Sequence, residues 1–233
     1  MARKITTVGF DADDTLWHNE RYFQMTQSYF AELLSDYTEA DTLMSRLVAA
    51  EKRNLGHYGF GVKGFTLSMI ETALDVTDRR VPGAVIEQIL EAGREMLAHP
   101  VDLLPHAREA VESAARTHRI LLITKGDLLD QERKLAQSGL GDLFDAVEIV
   151  SDKNPGVYRS IFDRHGHSAI CGVMVGNSVK SDILPMIEAG GYGIHVPHDV
   201  TWELEHAETP CDHDRFRSLP DLGGLAKVLE TLR

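Results

Sequence analysis

The chain has 233 residues, 43% hydrophobic and 26% charged, which suits one large domain or a core domain with a smaller second one. A formal net charge of −12 argues against non-specific nucleic-acid binding, which rests on Lys and Arg neutralising phosphates. Two cysteines, Cys171 and Cys211, are too few for a disulfide framework and favour a reducing, cytoplasmic setting. No stretch approaches the roughly 20 apolar residues of a membrane span, and no apolar signal core precedes the first acidic cluster.

Ile5 to Phe10 is β-prone and reads as the first strand. It ends abruptly in Asp11-Ala12-Asp13-Asp14-Thr15. Three carboxylates this close repel one another, and a fold avoids that unless a metal or a reaction needs it. Ligands of open α/β sheets bind at this end of the strands.

From about Asn19 to about His99 the period changes. Tyr22 to Leu34, Leu43 to Leu55, Phe65 to Leu74 and Val85 to Leu97 each carry helical spacing with no convincing strand between them. An all-helical insert in an α/β chain marks a second, smaller domain. The expected division is an α/β core of 1–17 and 100–233 and a helical domain of 18–99. Gly59, Gly61 and Gly64 match G-x-G-x-x-G, but they follow a helix-like segment, so a loop between helices is the better reading than a dinucleotide site. Lys63 and His57 in that region are candidates to meet a substrate.

After Pro100, helix and strand alternate. Helical segments are Ala107 to Thr117, Leu128 to Ser138, Pro155 to His165, Leu184 to Ala189 and Leu222 to Leu232. Strands are Arg119 to Ile123, Ala146 to Val150, Gly172 to Val175 and Tyr192 to Val196. Continuous apolar strands separated by helices predict a parallel sheet covered on both faces. Polar residues gather at the strand ends in a definite order. They are Thr124-Lys125-Gly126 after the second strand, Lys153-Asn154-Pro155 after the third, and Gly176-Asn177-Ser178 with Asp182 after the fourth.

Asp-x-Asp-x-Thr, then Thr, Lys, and Gly-Asn-Ser-x-x-x-Asp in this order resembles the four motifs of the haloacid dehalogenase superfamily. The likeness covers the whole α/β core. The insert resembles that superfamily's first class of helical cap. The resemblance implies a Rossmann-like fold and a Mg²⁺-dependent phosphohydrolase of a small phosphorylated metabolite. It implies Asp11 as the nucleophile that forms an aspartyl-phosphate and Asp13 as general acid and base. Thr124, with Lys125 and Gly126, would hold the phosphoryl group, and Lys153 would add a cation. Metal ligands would be the Asp11 carboxylate, the Asp13 backbone carbonyl, Asn177 and Asp182. A metal is needed because an anionic phosphate repels a carboxylate nucleophile.

Asn177 stands where many members carry Asp, so Asp182 is expected to supply the charge. Asp14 occupies a position often held by Gly and has no assigned chemistry; Asp14→Gly should be mild. Trp17 reads as packing, and Asn154 as the cap of the next helix. His195, His198, Glu203 and His206 crowd one region, where a mixed surface segment is the better reading than zinc ligation.

Other chemistries remain open on this fold. A dehalogenase usually lacks a carboxylate at the Asp13 position, a phosphonatase needs an imine-forming lysine such as Lys52 or Lys63, and a phosphomutase must protect its phospho-enzyme. A non-enzymatic phospho-acceptor or scaffold is the competing class. An EF-hand fails, because the sixth position from Asp11 is Leu16 and the twelfth is Tyr22.

Overall fold

The computed structural model describes residues 4–200 and 202–232. Strands β1 (Thr7–Phe10), β2 (Arg119–Lys125), β3 (Ala146–Val150), β4 (Gly172–Gly176), β5 (Tyr192–His195) and β6 (Phe216–Ser218) form a parallel sheet. Its order is β3-β2-β1-β4-β5-β6. β1 lies between β2 and β4, with Phe10 opposite both Leu122 and Val175. The residues that follow all three strands therefore leave the sheet at one end.

Side chains alternate between the two faces, as the strand period requires. Val8, Phe10, Ile120, Leu122, Val173, Val175 and Ile194 join a core with α5 (Ala107–Ala115) and α9 (Leu225–Thr231). Leu121, Ile123 and Met174 join another with α7 (Pro155–His165) and α8 (Leu184–Glu188). The sheet is thus covered on both faces, the α/β architecture expected from the continuous apolar strands. Asn154 caps α7 by accepting from Val157 N at 3.1 Å, with Pro155 in the first turn. β6 was not expected; at three residues it is too short to show a period, and it pairs with β5 at the sheet edge.

The chain divides into two compact units: 1–20, 101–125 and 131–233 form one, and 21–100 with 126–130 form the other. The second is built on α1 (Glu20–Leu33), α2 (Ala40–Tyr58), α3 (Val62–Val76) and α4 (Gly83–Ala98). It has its own core around Phe30, Leu34, Leu43, Leu47, Phe65, Met69 and Ile89. Gly59 and Gly61, at φ 74° and 107°, make the turn between α2 and α3. Only Gly59 and Gly61 form the loop; Gly64 lies within the first turn of α3, and the triplet follows a helix rather than a strand. α6 (Leu128–Ser138) follows β2. Among the described residues no helix is long and apolar enough to cross a membrane.

Candidate active site

At the carboxyl end of β1, Asp11 is held by its backbone N–H to the Val175 carbonyl, 2.9 Å away. Its side chain is buried. Lys153 Nζ donates to Asp11 Oδ1 at 2.5 Å and to Asp182 Oδ1 at 2.7 Å. One cation thus joins two carboxylates whose positions are 171 residues apart in sequence (182 − 11). Burial pushes the Asp11 carboxyl up to about 7, against the opposing pull of Lys153, and Asp182 adds to the rise. Burial alone would lower the Lys153 ammonium, but the two carboxylates outweigh it and hold the group well above the usual lysine range.

Thr15 connects this triad to the end of β4. Its hydroxyl lies 3.0 Å from Asp11 Oδ2 and 3.2 Å from Asn177 Oδ1, and accepts from Asn177 N at 3.0 Å. His195 Nε2 donates to the Asn177 carbonyl at 3.0 Å, which fixes the backbone there. Asp182 Oδ2 accepts from Ser178 N at 3.0 Å. Gly176 is required for this turn, since a Cβ on it would lie 2.2 Å from Asp182 Oδ2. Two hard oxygens, from Asp11 and Asn177, therefore meet at one hydroxyl, beside the Asp182 carboxylate. That donor set suits Mg²⁺.

Asp13 points into a second network. Its Oδ1 accepts from Trp17 Nε1 at 2.7 Å and Lys134 Nζ at 3.0 Å. Its Oδ2 accepts from Gln131 Nε2 at 2.8 Å and Lys134 Nζ at 3.1 Å. Trp17 is therefore more than packing.

Thr124 is buried at the end of β2, its hydroxyl 3.3 Å from the Lys125 carbonyl. Lys125 Nζ donates to Glu205 Oε1 at 2.6 Å and Ser181 Oγ at 2.8 Å. Lys63 and Gly126 belong to the helical unit, where Lys63 Nζ lies 3.1 Å from Asp127 Oδ1.

A family model for haloacid dehalogenase-like hydrolases matches residues 5–190. The chain belongs to this family. A haloacid dehalogenase-like family hydrolase from Xanthomonas campestris shares 40% identity over 100% of this chain and 94% of that one, with a TM-score of 0.88. A predicted phosphoglycolate phosphatase from Haemophilus somnus is similar at 15% identity and TM-score 0.66, covering 97% of this chain and 98% of its own. An L-2-haloacid dehalogenase from Xanthobacter autotrophicus, with chloropropionic acid covalently bound, is similar at 16% and 0.64, covering 98% and 100%. No curated protein matches the chain by sequence. The last two structures share the fold alone, and that fold carries both phosphatase and dehalogenase names.

Residues that the motifs do not mark also join this network. Glu205, in a 3₁₀ turn after β5, accepts from Ser178 Oγ and Ser181 Oγ, both at 2.5 Å, besides its ion pair with Lys125. Burial raises its carboxyl, but Lys125 and the serines outweigh this and hold it below the usual glutamate value of 4.5. A carboxylate lowered on folding stabilises the native state above its unfolded pKa, and that contribution is lost as pH falls. Glu205→Gln should cost roughly 1–3 kcal/mol near pH 7. In thermal melts, its gap to the wild type should narrow as the pH is taken from 6 down to about 3.5.

Asp14 departs from the mild role expected of it. It is buried at φ 58°, where a glycine is easier. Its carboxylate accepts from Asn19 N at 2.8 Å and from Glu20 N at 2.9 and 3.1 Å, so it ties down the start of α1. Burial pushes it up to about 6, opposed by the Asn19 N–H and by His198. Asp14→Gly loses these bonds but relieves the backbone; Asp14→Ala loses them and keeps the strain. Melting temperatures should therefore rank wild type, then Asp14→Gly, then Asp14→Ala, with roughly 1–2 kcal/mol between the variants. The supposed surface cluster also divides: Glu203 and His206 are exposed, while His195 and His198 face inward contacts.

Proposed function

We propose that the chain is a Mg²⁺-dependent phosphohydrolase of a small phosphorylated metabolite. The carrying observation is the pair of carboxylates two residues apart, with different partners. Asp11 is bound to a buried lysine, and Asp13 to an indole, an amide and an ammonium. A halide leaves as an anion and needs no proton, so dehalogenation has no use for a general acid at the leaving group. An ester oxygen does need one, which gives Asp13 its task.

In this reading Asp11 attacks phosphorus, and the bond to the leaving oxygen breaks. Asp13 delivers a proton to that oxygen, then takes one from the water that hydrolyses the aspartyl-phosphate. To do so it must release one of the donors on its oxygens, so Trp17, Gln131 and Lys134 set how easily it turns. Lys153 keeps Asp11 oriented and offsets charge on the phosphoryl oxygens. Thr124 and Lys125 would hold those oxygens. The Asp11 carboxylate, the Asp13 carbonyl and Asn177 Oδ1 would hold the magnesium ion, with Asp182 adding charge. When bound, the ion neutralises the repulsion between carboxylate and phosphate.

The α/β unit serves as the catalytic domain and the helical unit as the cap that sets the substrate, with Lys63 as a contributor. Free Cys171 and Cys211 suit a cytoplasmic setting.

The test is phosphate release from an alkyl and a nitrophenyl phosphate with and without magnesium. Asp13→Asn should slow the alkyl ester by about 10²–10⁴-fold. In a single turnover it should slow release of nitrophenolate far less than release of the alkyl alcohol, because nitrophenolate leaves without a proton. Equal slowing of both releases, or chloride release from a 2-chloroacid by the wild type, would count against the proposal.

A further inference from the structure

Beyond the triad, Asp14, His18 and His198 turn three ligating atoms toward one point. His198 Nε2 lies 3.4 Å from His18 Nδ1 and 3.6 Å from Asp14 Oδ1, and all three atoms fall within 4.8 Å of one another. Around a tetrahedral ion with bonds of about 2.0–2.1 Å, neighbouring ligand atoms sit about 3.3–3.4 Å apart. Two edges of the triangle are close to that without any ion. We propose that Asp14, His18 and His198 form a site for a borderline divalent cation of the Zn²⁺ class.

The surroundings support a ligand role. His198 Nδ1 lies 2.9 Å from the Val200 carbonyl and 3.3 Å from Val200 N, so the Val200 backbone orients the ring. Nε2 is thereby turned toward His18 Nδ1 and Asp14 Oδ1. Metal-bound histidines are usually oriented by such a bond from their other nitrogen. Asp14 is oriented as well, by the Asn19 and Glu20 N–H groups. The His198 and Asp14 side chains are 10% and 8% exposed, so the triangle is largely sheltered. A water can complete the coordination.

Donor chemistry separates this site from the one around Asp11. Two imidazoles and one carboxylate suit Zn²⁺ or Co²⁺, whereas Mg²⁺ prefers an all-oxygen shell. The location suggests a use. His18 N donates to the Asp102 carbonyl at 3.0 Å, so His18 lies where the chain leaves the α/β unit and beside the segment by which it returns. His198 comes from the loop after β5. A bound ion would pin the Asp14–His18 stretch to the loop after β5 as a structural clasp.

Without a metal the same three atoms make only polar contacts with one another, and the two cases separate by experiment. The whole chain, freed of metal and then kept in millimolar magnesium, is titrated with Co²⁺ by visible absorption and with Zn²⁺ by calorimetry. One equivalent should bind, with the absorption of nitrogen-ligated cobalt and a rise in melting temperature. His18→Ala and His198→Ala should each weaken binding at least about tenfold and abolish that rise. Asp11→Asn should leave binding unchanged. Circular dichroism checks that both histidine variants fold. The proposal is overturned if the folded wild type binds no Co²⁺ or Zn²⁺, if binding survives both histidine substitutions, or if it disappears with Asp11→Asn.

Discussion

Asp11→Asn is expected to abolish turnover, by at least about 10⁴-fold, while leaving the fold intact. The amide keeps the size of the carboxyl group and an oxygen that can accept from Thr15, but it is no nucleophile. Stability separates this result from simple damage. Asp11 has its folded pKa raised to about 7 from 3.8. Between those values the metal-free native state binds more protons than the unfolded chain, so stability falls as pH rises through that window. Asparagine does not titrate. With a chelator present, the melting temperature of Asp11→Asn relative to wild type should therefore climb from about pH 4 to pH 8. Magnesium should narrow the gap at the upper end by stabilising only the wild type. A variant that is inert and also melts far below the wild type at every pH would indicate a structural loss rather than a missing nucleophile.

Much of this site was legible because its chemistry sits at strand ends. A strand that stops in Asp11, Thr124 or Asn177 announces both the sheet and the place where a ligand meets it. Helices with strong 3.6-residue spacing were equally plain, as in Leu128–Ser138 and Pro155–His165. What could not be read was partnership across long sequence distances. Lys134 and Gln131 belong to no motif, and nothing in the sequence analysis marks them. Their helix exposes Leu128 and Leu129, at 61% and 71%, and buries Asp130, Gln131 and Lys134. Spacing of three places Gln131 and Lys134 on one side, where both reach Asp13. The signal was present, but its sign was the reverse of the hydrophobic rule.

Glu205 was harder still. It lies in an irregular segment with no period, and it meets Lys125 across 80 residues. Nearby Glu203 carried the same residue type and drew the attention, yet it is exposed. Short irregular turns choose their inward residue by backbone geometry, which spacing does not encode. The same limit applies to His198, whose partners Asp14 and His18 come from the other end of the chain.

Lys153→Ala should produce the largest loss of stability. It leaves Asp11 and Asp182 buried side by side with no cation. Removing one partner of a buried charge group costs about 3–5 kcal/mol, because the remaining charges cannot be hydrated. For a chain of this size that corresponds to a fall of roughly 6–20 °C in melting temperature. Activity should disappear with it, since Asp11 loses the donor that orients it. The deficit has a defined pH dependence. Two adjacent carboxyl groups relieve their repulsion by taking up a proton, so the gap to wild type should be widest near pH 8 and shrink toward pH 5. Lys153→Ala with Asp182→Asn removes one of the two stranded charges and should recover part of the stability but none of the turnover. Calorimetry of the two variants from pH 5 to 8 checks both statements. A pH-independent loss in Lys153→Ala would mean that the lysine acts by packing its stem, and the charge account of the triad would have to be abandoned.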